Sequence, residues 1–482
     1  MTFIEKDKYK FWAKVSDDKN NIVKDVVCEI ITPLKNIDKI EVTLKPISKE
    51  QYEKITSFSK CRIHGFVQHR DGTIQNEIKI NDSYIIKSLY TDWGVRLGEY
   101  SINIHPFSLE IITPISSRNN EKIIGGFWIS PNSFLIPHKN RTLSYTGEVN
   151  VRIGRQIVIK LSNEIILKFD TNYKYSSKNN LEKSFSESVA SFETNNLNYN
   201  INETLSYVDN LMFLTSFAER RKIVCIGWNM IDEKSHTEFY RRNISIKELV
   251  DYEDNYNDNS LIDIINFEEY LNHVIKKYKQ FRYKNLLKHA IQVISHKYTN
   301  IIEENFLSTF TAIETLFIFA FSENKLSNEI LPKDRWNQLK KEIEITIHNS
   351  SSFEGFENQK VTRRLVSSKL KELNRLSFSE CIKSFCGQYN LQVDDLWPLI
   401  GGQYISLKNI RDQLVHGVKM EDEKFSALWC AENHLRWTAE RMVLAILDWD
   451  LEKTNISHGG MGHIYPYRDL KIHQQNLNDW KR

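Results

Sequence analysis

Residues 301–321 read IIEENFLSTFTAIETLFIFAF. Phe306, Phe310, Ile313, Phe317 and Ala320 recur three or four positions apart, the spacing that lines one face of an α-helix. Residues 422–449, DEKFSALWCAENHLRWTAERMVLAILDW, repeat the pattern with Phe425, Leu428, Glu432, Leu435, Ala439, Met442, Ile446 and Trp449. Two helices of this length with apolar stripes bury them against each other. Shorter helices are expected near 334–347, 362–374, 376–388 and 402–416, so the chain from 259 to 455 reads as an all-α bundle.

Working outward from that bundle, the amino-terminal third has a different period. Over residues 1–172, Val and Ile alternate with polar residues, and turn residues separate short runs. Residues 61–68 and 73–80 flank Asp71-Gly72, and residues 157–161 and 164–169 flank Ser162-Asn163, each pair reading as a hairpin. The expectation is a β-rich domain of sandwich or barrel type. Residues 172–202, rich in Ser, Asn and Lys, read as a long loop opening a linker and mixed α/β bridging segment over 173–258. Within it, 204–221 has helical spacing (Tyr207, Leu211, Leu214, Phe217), 222–230 reads as a buried strand, and the polar run 254–259 marks a boundary. Residues 456–482 are left as a tail, and His458–Met461 with Gly462 and His463 as a flexible glycine-rich turn. The fold class is therefore α+β, with two or three domains in 482 residues.

Composition narrows the function classes. Hydrophobic residues make up 41% and charged residues 26%, ordinary for a globular chain. There is no run of 18 apolar residues, so no membrane partner is expected. The start, MTFIEKDKYKFWAKV, lacks the apolar region of a signal peptide, so a cytoplasmic location is expected. The net charge of +3 means that any nucleic-acid affinity must come from local patches. The six cysteines contain no CxxC pair, and Cys381 and Cys386 lack nearby partners for zinc, so no metal site and no cofactor are expected. GxxxxGK[ST], HExxH and GxSxG are all missing, which leaves a P-loop NTPase, a zincin and an α/β-hydrolase unsupported.

One segment carries chemistry: Asn409-Ile410-Arg411-Asp412-Gln413-Leu414-Val415-His416-Gly417. Arg411 and His416 are five apart, about 140° around an ideal helix, so one helix face does not present both. They converge only near a helix end or from two chains. Asp412 and His416 are four apart and share a face, so Asp412 is expected to hold the imidazole in one tautomer. With 21 arginines and 14 histidines the spacing alone proves little, and Arg282 with His289 and Arg468 with His473 match a looser form of it. Context favours Arg411. It closes an amphipathic helix, Gly417 suits the position that stops it, and a long helix follows.

The order of FLSTFTAIETLF, shorter helices, NIRDQLVHG and a long closing helix resembles the HEPN superfamily over about 260–455. The β-rich half placed before it resembles the ApeA family of bacterial anti-phage proteins. What the resemblance implies is a metal-independent endoribonuclease working as a homodimer, with Arg and His of two protomers facing each other. His416 would deprotonate the RNA 2′-OH or protonate the leaving 5′-oxygen. Arg411 would hold the scissile phosphate, Asp412 would orient His416, and the products would carry 2′,3′-cyclic phosphate and 5′-OH ends. It also implies abortive infection, host RNA as target with tRNA the leading candidate, a phage trigger, and the amino-terminal domain as sensor or clamp. Glu314, beside the apolar stripe of 301–321, is expected near Arg411 as a site-shaping carboxylate or, alternatively, bonded at the bundle edge.

RNA binding needs cations and stacking surfaces. Lys276, Lys277, Lys279, Arg282, Lys284 and Lys288 are interleaved with Tyr278, Phe281 and Tyr283, and Arg363 and Arg364 with Lys369 and Lys371 form a second run. The competing interpretation of both is a solvated helix face over core aromatics. His434 and His289 read as structural histidines, and Trp429, Trp437 and Trp449 as core or interface residues. Two other functions compete with the ribonuclease: a non-catalytic HEPN interaction module, and a carbohydrate- or peptide-binding β domain using Trp93, Phe127 and Trp128.

Overall fold

A computed structural model describes residues 7–33, 39–68, 73–93, 96–115, 122–130, 133–136, 139–143, 149–153, 156–161, 165–178, 181–196, 199–242, 260–295, 301–355, 357–418 and 421–478. The chain divides into two compact units, Met1–Ser260 and Leu261–Arg482. Asp71-Gly72, Ser162-Asn163 and the 254–259 break lie outside the described residues, although the strands that flank both turns do pair as hairpins.

In the first unit, β1 (Lys8–Ser16), β2 (Ile22–Ile31), β3 (Glu41–Lys45), β4 (Cys61–Gln68), β5 (Ile74–Trp93) and β6 (Arg96–His105) are joined by antiparallel pairing. β6 pairs with both β3 and the far half of β5, so these strands close into a ring. The β-rich half is thus barrel-like rather than two stacked sheets. Along β1, Phe11, Ala13 and Val15 point into the core while Lys10, Trp12 and Lys14 point out, the two-residue alternation of a half-buried strand. The barrel interior collects Val26, Cys28, Ile30, Leu44, Ile63, Ile78, Ile80 and Ile102. Gly65 sits opposite Ala13, and a Cβ there would lie 2.4 Å from the Phe11 ring and 2.7 Å from the Trp12 carbonyl, so only glycine lets these two strands meet. A short helix, α1 (Lys49–Thr56), contributes Ile55 to this core.

The sheet continues past β5 through β7 (Ser108–Pro114), and then β15 (Ser235–Arg241), β14 (Cys225–Ile231), β8 (Ile123–Ile129), β13 (Leu181–Thr194), β12 (Ile166–Lys178) and β11 (Val158–Lys160). β9 (Lys139–Leu143) and β10 (Val149–Ile153) pair separately. The expected loop over 172–202 is corrected here: β12 and β13 are paired strands from Lys168↔Ser191 to Lys178↔Leu181. Nor does 173–258 stand apart as a bridge, because β13, β14 and β15 lie within the same sheet. Helix α2 (Ile201–Glu219) buries Leu211, Leu214 and Phe217 as expected, but Tyr207 faces solvent. At its end the buried Glu219 carboxylate accepts from Ser133 Oγ (2.6 Å), Phe134 N–H (2.9 Å) and Arg221 Nε (2.7 Å). Burial pushes that carboxyl up, and Arg221 opposes the shift. Phe127 and Trp128 are buried, so they line no exposed groove; the Trp93 side chain lies outside the described residues.

The second unit is helical: α3 (Phe267–Gln280), α4 (Lys284–Ser295), α5 (Ile302–Ser322), α6 (Lys333–Asn349), α7 (Gln359–Lys369), α8 (Phe378–Tyr389), α9 (Leu407–Val415) and α10 (Phe425–Ile446), followed by the short α11 (His458–Met461), α12 (Tyr465–Arg468) and α13 (Leu470–Asn476). α5 is the centre of the bundle. Phe306, Phe310, Ile313, Phe317 and Ala320 are all buried, against α4, α8, α9 and α10. It is also the one described helix long and apolar enough to suit a membrane span, and most of it is buried inside the protein. In α10 the expected stripe is buried from Leu428 to Ile446, but Phe425, the first residue of the helix, is 57% exposed. α6 and α7 lean on each other and bury no side chain.

The stretch after 455 is no loose tail, since α12 and α13 pack on α10. The buried Arg441 explains part of this. Its Nε and Nη2 donate to the Ile456 carbonyl, and Nη1 donates to the Gln392 carbonyl and to Asp395 Oδ1 at 2.6 Å. Residues 458–461, expected as a flexible turn, form α11, with Ser457 capping its start. His434 is a structural histidine: Nδ1 accepts from Trp397 N–H (3.2 Å) and Nε2 donates to the Pro466 carbonyl (3.0 Å). His289, in contrast, is exposed.

Candidate functional site

Helix α9 presents the Arg411 motif, and its two ends are strongly defined. Ser406 caps the start by accepting from Asn409 N–H, and Leu407 and Lys408 N–H donate to the carbonyls of Pro398 and Leu399, both at 3.0 Å. Leu407 and Ile410 are fully buried, which leaves the opposite face of the helix to Lys408, Asp412 and Val415. At the other end Gly417 N–H donates to Leu414 O and Val418 N–H to Gln413 O, both at 3.1 Å, while Gly417 takes φ +73°. This is the double-bonded glycine stop that Gly417 suggested, and it leaves His416 as the last residue before the chain turns.

Arg411 is seated on α5. Its guanidinium carbon lies 5.6 Å from the Phe310 ring centroid, and Nη2 lies 3.6 Å from Glu314 Oε1. Phe310 and Glu314 are one helical turn apart, so a single stretch of α5 offers Arg411 both an aromatic face and a carboxylate. Glu314 therefore lies beside Arg411 rather than pairing with a backbone group. The ring itself is backed by Phe378, stacked at 5.2 Å.

Asp412 occupies a different role from the one expected. Its Oδ2 accepts from Lys408 Nζ at 2.5 Å and its Oδ1 from Arg411 Nη1 at 3.1 Å. Among the described residues the His416 imidazole makes no hydrogen bond or ion pair, and only its backbone N–H reaches Asp412, at the carbonyl (3.1 Å). The reason is competition: two cations on the same helix already occupy both carboxylate oxygens. Partial burial raises the Asp412 carboxyl, and the bonds and charges of Lys408 and Arg411 more than offset that, holding it below the usual carboxylate range. Lys408 was not singled out from sequence, although its position four residues before Asp412 is the signal that would have found it. Arg411 and His416 are not bonded to each other within one chain, and His416 is exposed at the helix end.

The two other Arg–His matches do not form sites of this kind. Arg468 bonds to its neighbour Asp469 while His473 is buried against Tyr465. Arg282 lies over Tyr283 in the turn before α4.

The cationic runs divide between surface and core. Tyr278 is buried and Phe281 packs edge-on against Phe319, so both belong to the bundle rather than to a stacking platform. Lys276 and Lys279 are exposed, Lys284 is half-buried, and Lys277 pairs with Asp448 at 3.3 Å. Partial burial and the nearby Lys284 charge lower the Lys279 ammonium. Arg282 and Tyr283 N–H donate to Glu323 Oε1 at 2.7 and 2.6 Å, fixing that turn. Arg363 donates to the Ser350 carbonyl (3.2 Å) and covers the Phe353 ring, and Arg364 is exposed beside it. None of these residues bonds to Arg411, Asp412 or His416. Among the described residues no three His, Cys, Asp or Glu side chains are grouped as metal ligands would be. No protein-family model, curated protein or solved structure matches the chain.

Proposed function

We propose that the helical unit is an RNA-cleaving domain of HEPN type, in which Arg411 and His416 act on a phosphodiester. The observation that carries this reading is the placement of Arg411. It lies on Phe310, between Glu314 and Asp412, five residues before an exposed His416 at a glycine-stopped helix end. The 2′-oxygen of RNA attacks the adjacent phosphorus, and the bond from phosphorus to the 5′-oxygen breaks. His416 accepts the 2′-OH proton, or in its protonated form donates one to the leaving 5′-oxygen. Arg411 offsets the charge that builds on the non-bridging oxygens. The products are a 2′,3′-cyclic phosphate and a 5′-OH. Asp412 is a positioning residue in this scheme, holding Arg411 and Lys408 together rather than His416.

With Arg411 and His416 unlinked in one chain, a second copy supplies the facing motif, and the homodimer is part of the proposal. Host RNA, with tRNA first among candidates, anti-phage defence by abortive infection, a phage trigger and a regulatory β unit follow from the family resemblance and belong to the same proposal. A second reading, a non-catalytic interaction module, is favoured by one observation: the Arg411 guanidinium is already matched by two carboxylates. Cleavage assays on Arg411→Ala and His416→Ala separate the two. Loss of cleavage in both variants with unchanged melting supports the ribonuclease, and cleavage retained in either refutes the assigned site.

A further inference from the structure

The outer face of the barrel carries an aromatic pair that the fold does not use. Trp12 on β1 is 60% exposed and its register partner Phe66 on β4 is 39% exposed. A tryptophan this open is unusual, because burying its ring is worth several times the burial of a small side chain. β1 is not an edge strand, being flanked by β2 and β4, so Trp12 stands in the middle of a paired surface.

The surroundings say what chemistry would cover it. The outward residues of β1 are Lys8, Lys10, Trp12 and Lys14, and those of β4 are Arg62, His64, Phe66 and Gln68. Neither strand presents an acid on this face. On the neighbouring strands Glu29 is matched by Lys10 (3.2 Å) and Lys45 (2.8 Å), Glu77 pairs with Lys79 (3.1 Å) and lies 2.9 Å from His64 Nε2, and Asp82 lies 4.0 Å from Arg62, while among the described residues Asp25, exposed on β2, has no ion pair. Among the described residues Lys8 and Lys14 carry no ion pair. Along an extended strand Lys10, Trp12 and Lys14 repeat every ~6.6 Å. That places an ammonium group on each side of an aromatic face, as a base with flanking phosphates requires. Protein interfaces are enriched in Trp but depleted in Lys, so the lysines favour a polyanion over a protein surface.

We infer that this barrel face binds single-stranded nucleic acid, with Trp12 and Phe66 stacking on unpaired bases, Lys14 taking the phosphate on one side, and Lys10, as it leaves Glu29 to Lys45, taking the phosphate on the other. Bases must be unpaired for this, because a duplex hides their faces. The site is separate from the Arg411 motif and does not depend on whether that motif cleaves RNA.

The test uses full-length protein and a fluorescein-labelled oligothymidylate of about 12 nucleotides, within the site sizes of single-strand binders. Such DNA lacks the 2′-OH and reports binding alone. Fluorescence anisotropy is expected to give saturable binding. Trp12→Ala and Phe66→Ala should each weaken it by about 5- to 100-fold, Trp12→Phe should retain most of it, and Lys14→Gln should reduce the salt dependence by about one released ion. Thermal melts establish that each variant is folded, which the exposure of Trp12 makes straightforward. Absence of binding by the wild type, indifference to Trp12→Ala, or equal affinity for a duplex of the same length would each overturn the assignment.

Discussion

Arg411 shows how a side chain can be held in place while still facing solvent. Its guanidinium is half-exposed, lies over Phe310 and has carboxylates at 3.1 and 3.6 Å, so it keeps N–H donors for a phosphate. Replacing Arg411 or His416 by alanine is predicted to lower RNA cleavage by about 10²- to 10⁴-fold, with melting temperature unchanged because neither side chain supports the core. Asp412 defines the pH behaviour of the cluster. Its carboxyl lies below the ordinary value, so the ion pairs are complete above the ordinary carboxylate range and are lost only as pH falls through the depressed value. Because all three groups are partly solvated, the effect on stability is small. Asp412→Asn should therefore leave melting nearly unchanged and lower cleavage by loosening Arg411, a kcat effect that single-turnover rates can read. The place of Glu314 beside Arg411 was expected from the family resemblance, since burial beside an apolar stripe alone left a backbone group or a lysine equally open as its partner. The partner of Asp412 was not, because Lys408 and His416 are both four residues from it and spacing alone does not choose between a cation and an imidazole.

At the scale of elements, the end of α9 matters most. Gly417 takes φ +73° with open space where a Cβ would go, so Gly417→Ala meets no clash and costs only left-handed backbone strain, about 1–2 kcal/mol. The variant is predicted to lower the melting temperature modestly and to reduce cleavage by more than stability accounts for, since His416 leaves its place. Equal activity in a folded Gly417→Ala protein would show that the helix stop does not position His416. Phe310→Ala removes a fully buried ring together with the seat of Arg411, and about 3–5 kcal/mol of destabilisation is expected by chemical denaturation. The helices were legible because long apolar stripes have few other uses. Phe425 failed the pattern because it opens its helix, beyond the reach of the neighbours that cover Leu428. The β12–β13 hairpin was not legible: strands joined along eleven pairs satisfy their backbones regardless of a Ser-, Asn- and Lys-rich sequence. The carboxy-terminal helices were missed because Arg441 holds the segment through the backbone carbonyl of Ile456, a contact that side-chain periodicity does not reveal.

Across the whole molecule, two units divide the work: a closed barrel with an extended sheet, and a bundle around α5. Both halves, their order and the boundary near Ser260 were legible, whereas the membership of β13, β14 and β15 in the first unit's sheet was not, because a Ser-, Asn- and Lys-rich stretch hides the strands that join them. The bundle should be acid-sensitive through His434, whose imidazole burial drives down to about 4. The unfolded chain takes up this proton below about pH 6.5 and the folded chain does not, so stability falls as pH drops from about 6.5 to about 4, by about 3 kcal/mol in all. His434→Gln should flatten that part of a melting-temperature profile, and an unchanged slope would assign the acid sensitivity elsewhere. The central claim is that this chain cuts RNA with Arg411 and His416. It is tested most directly by incubating purified wild-type and His416→Ala protein with total bacterial RNA in EDTA and mapping the fragment ends. Cleavage by the wild type alone, leaving 2′,3′-cyclic phosphate and 5′-OH ends, is the predicted result; equal cleavage by His416→Ala, or ends of the opposite polarity, would contradict it.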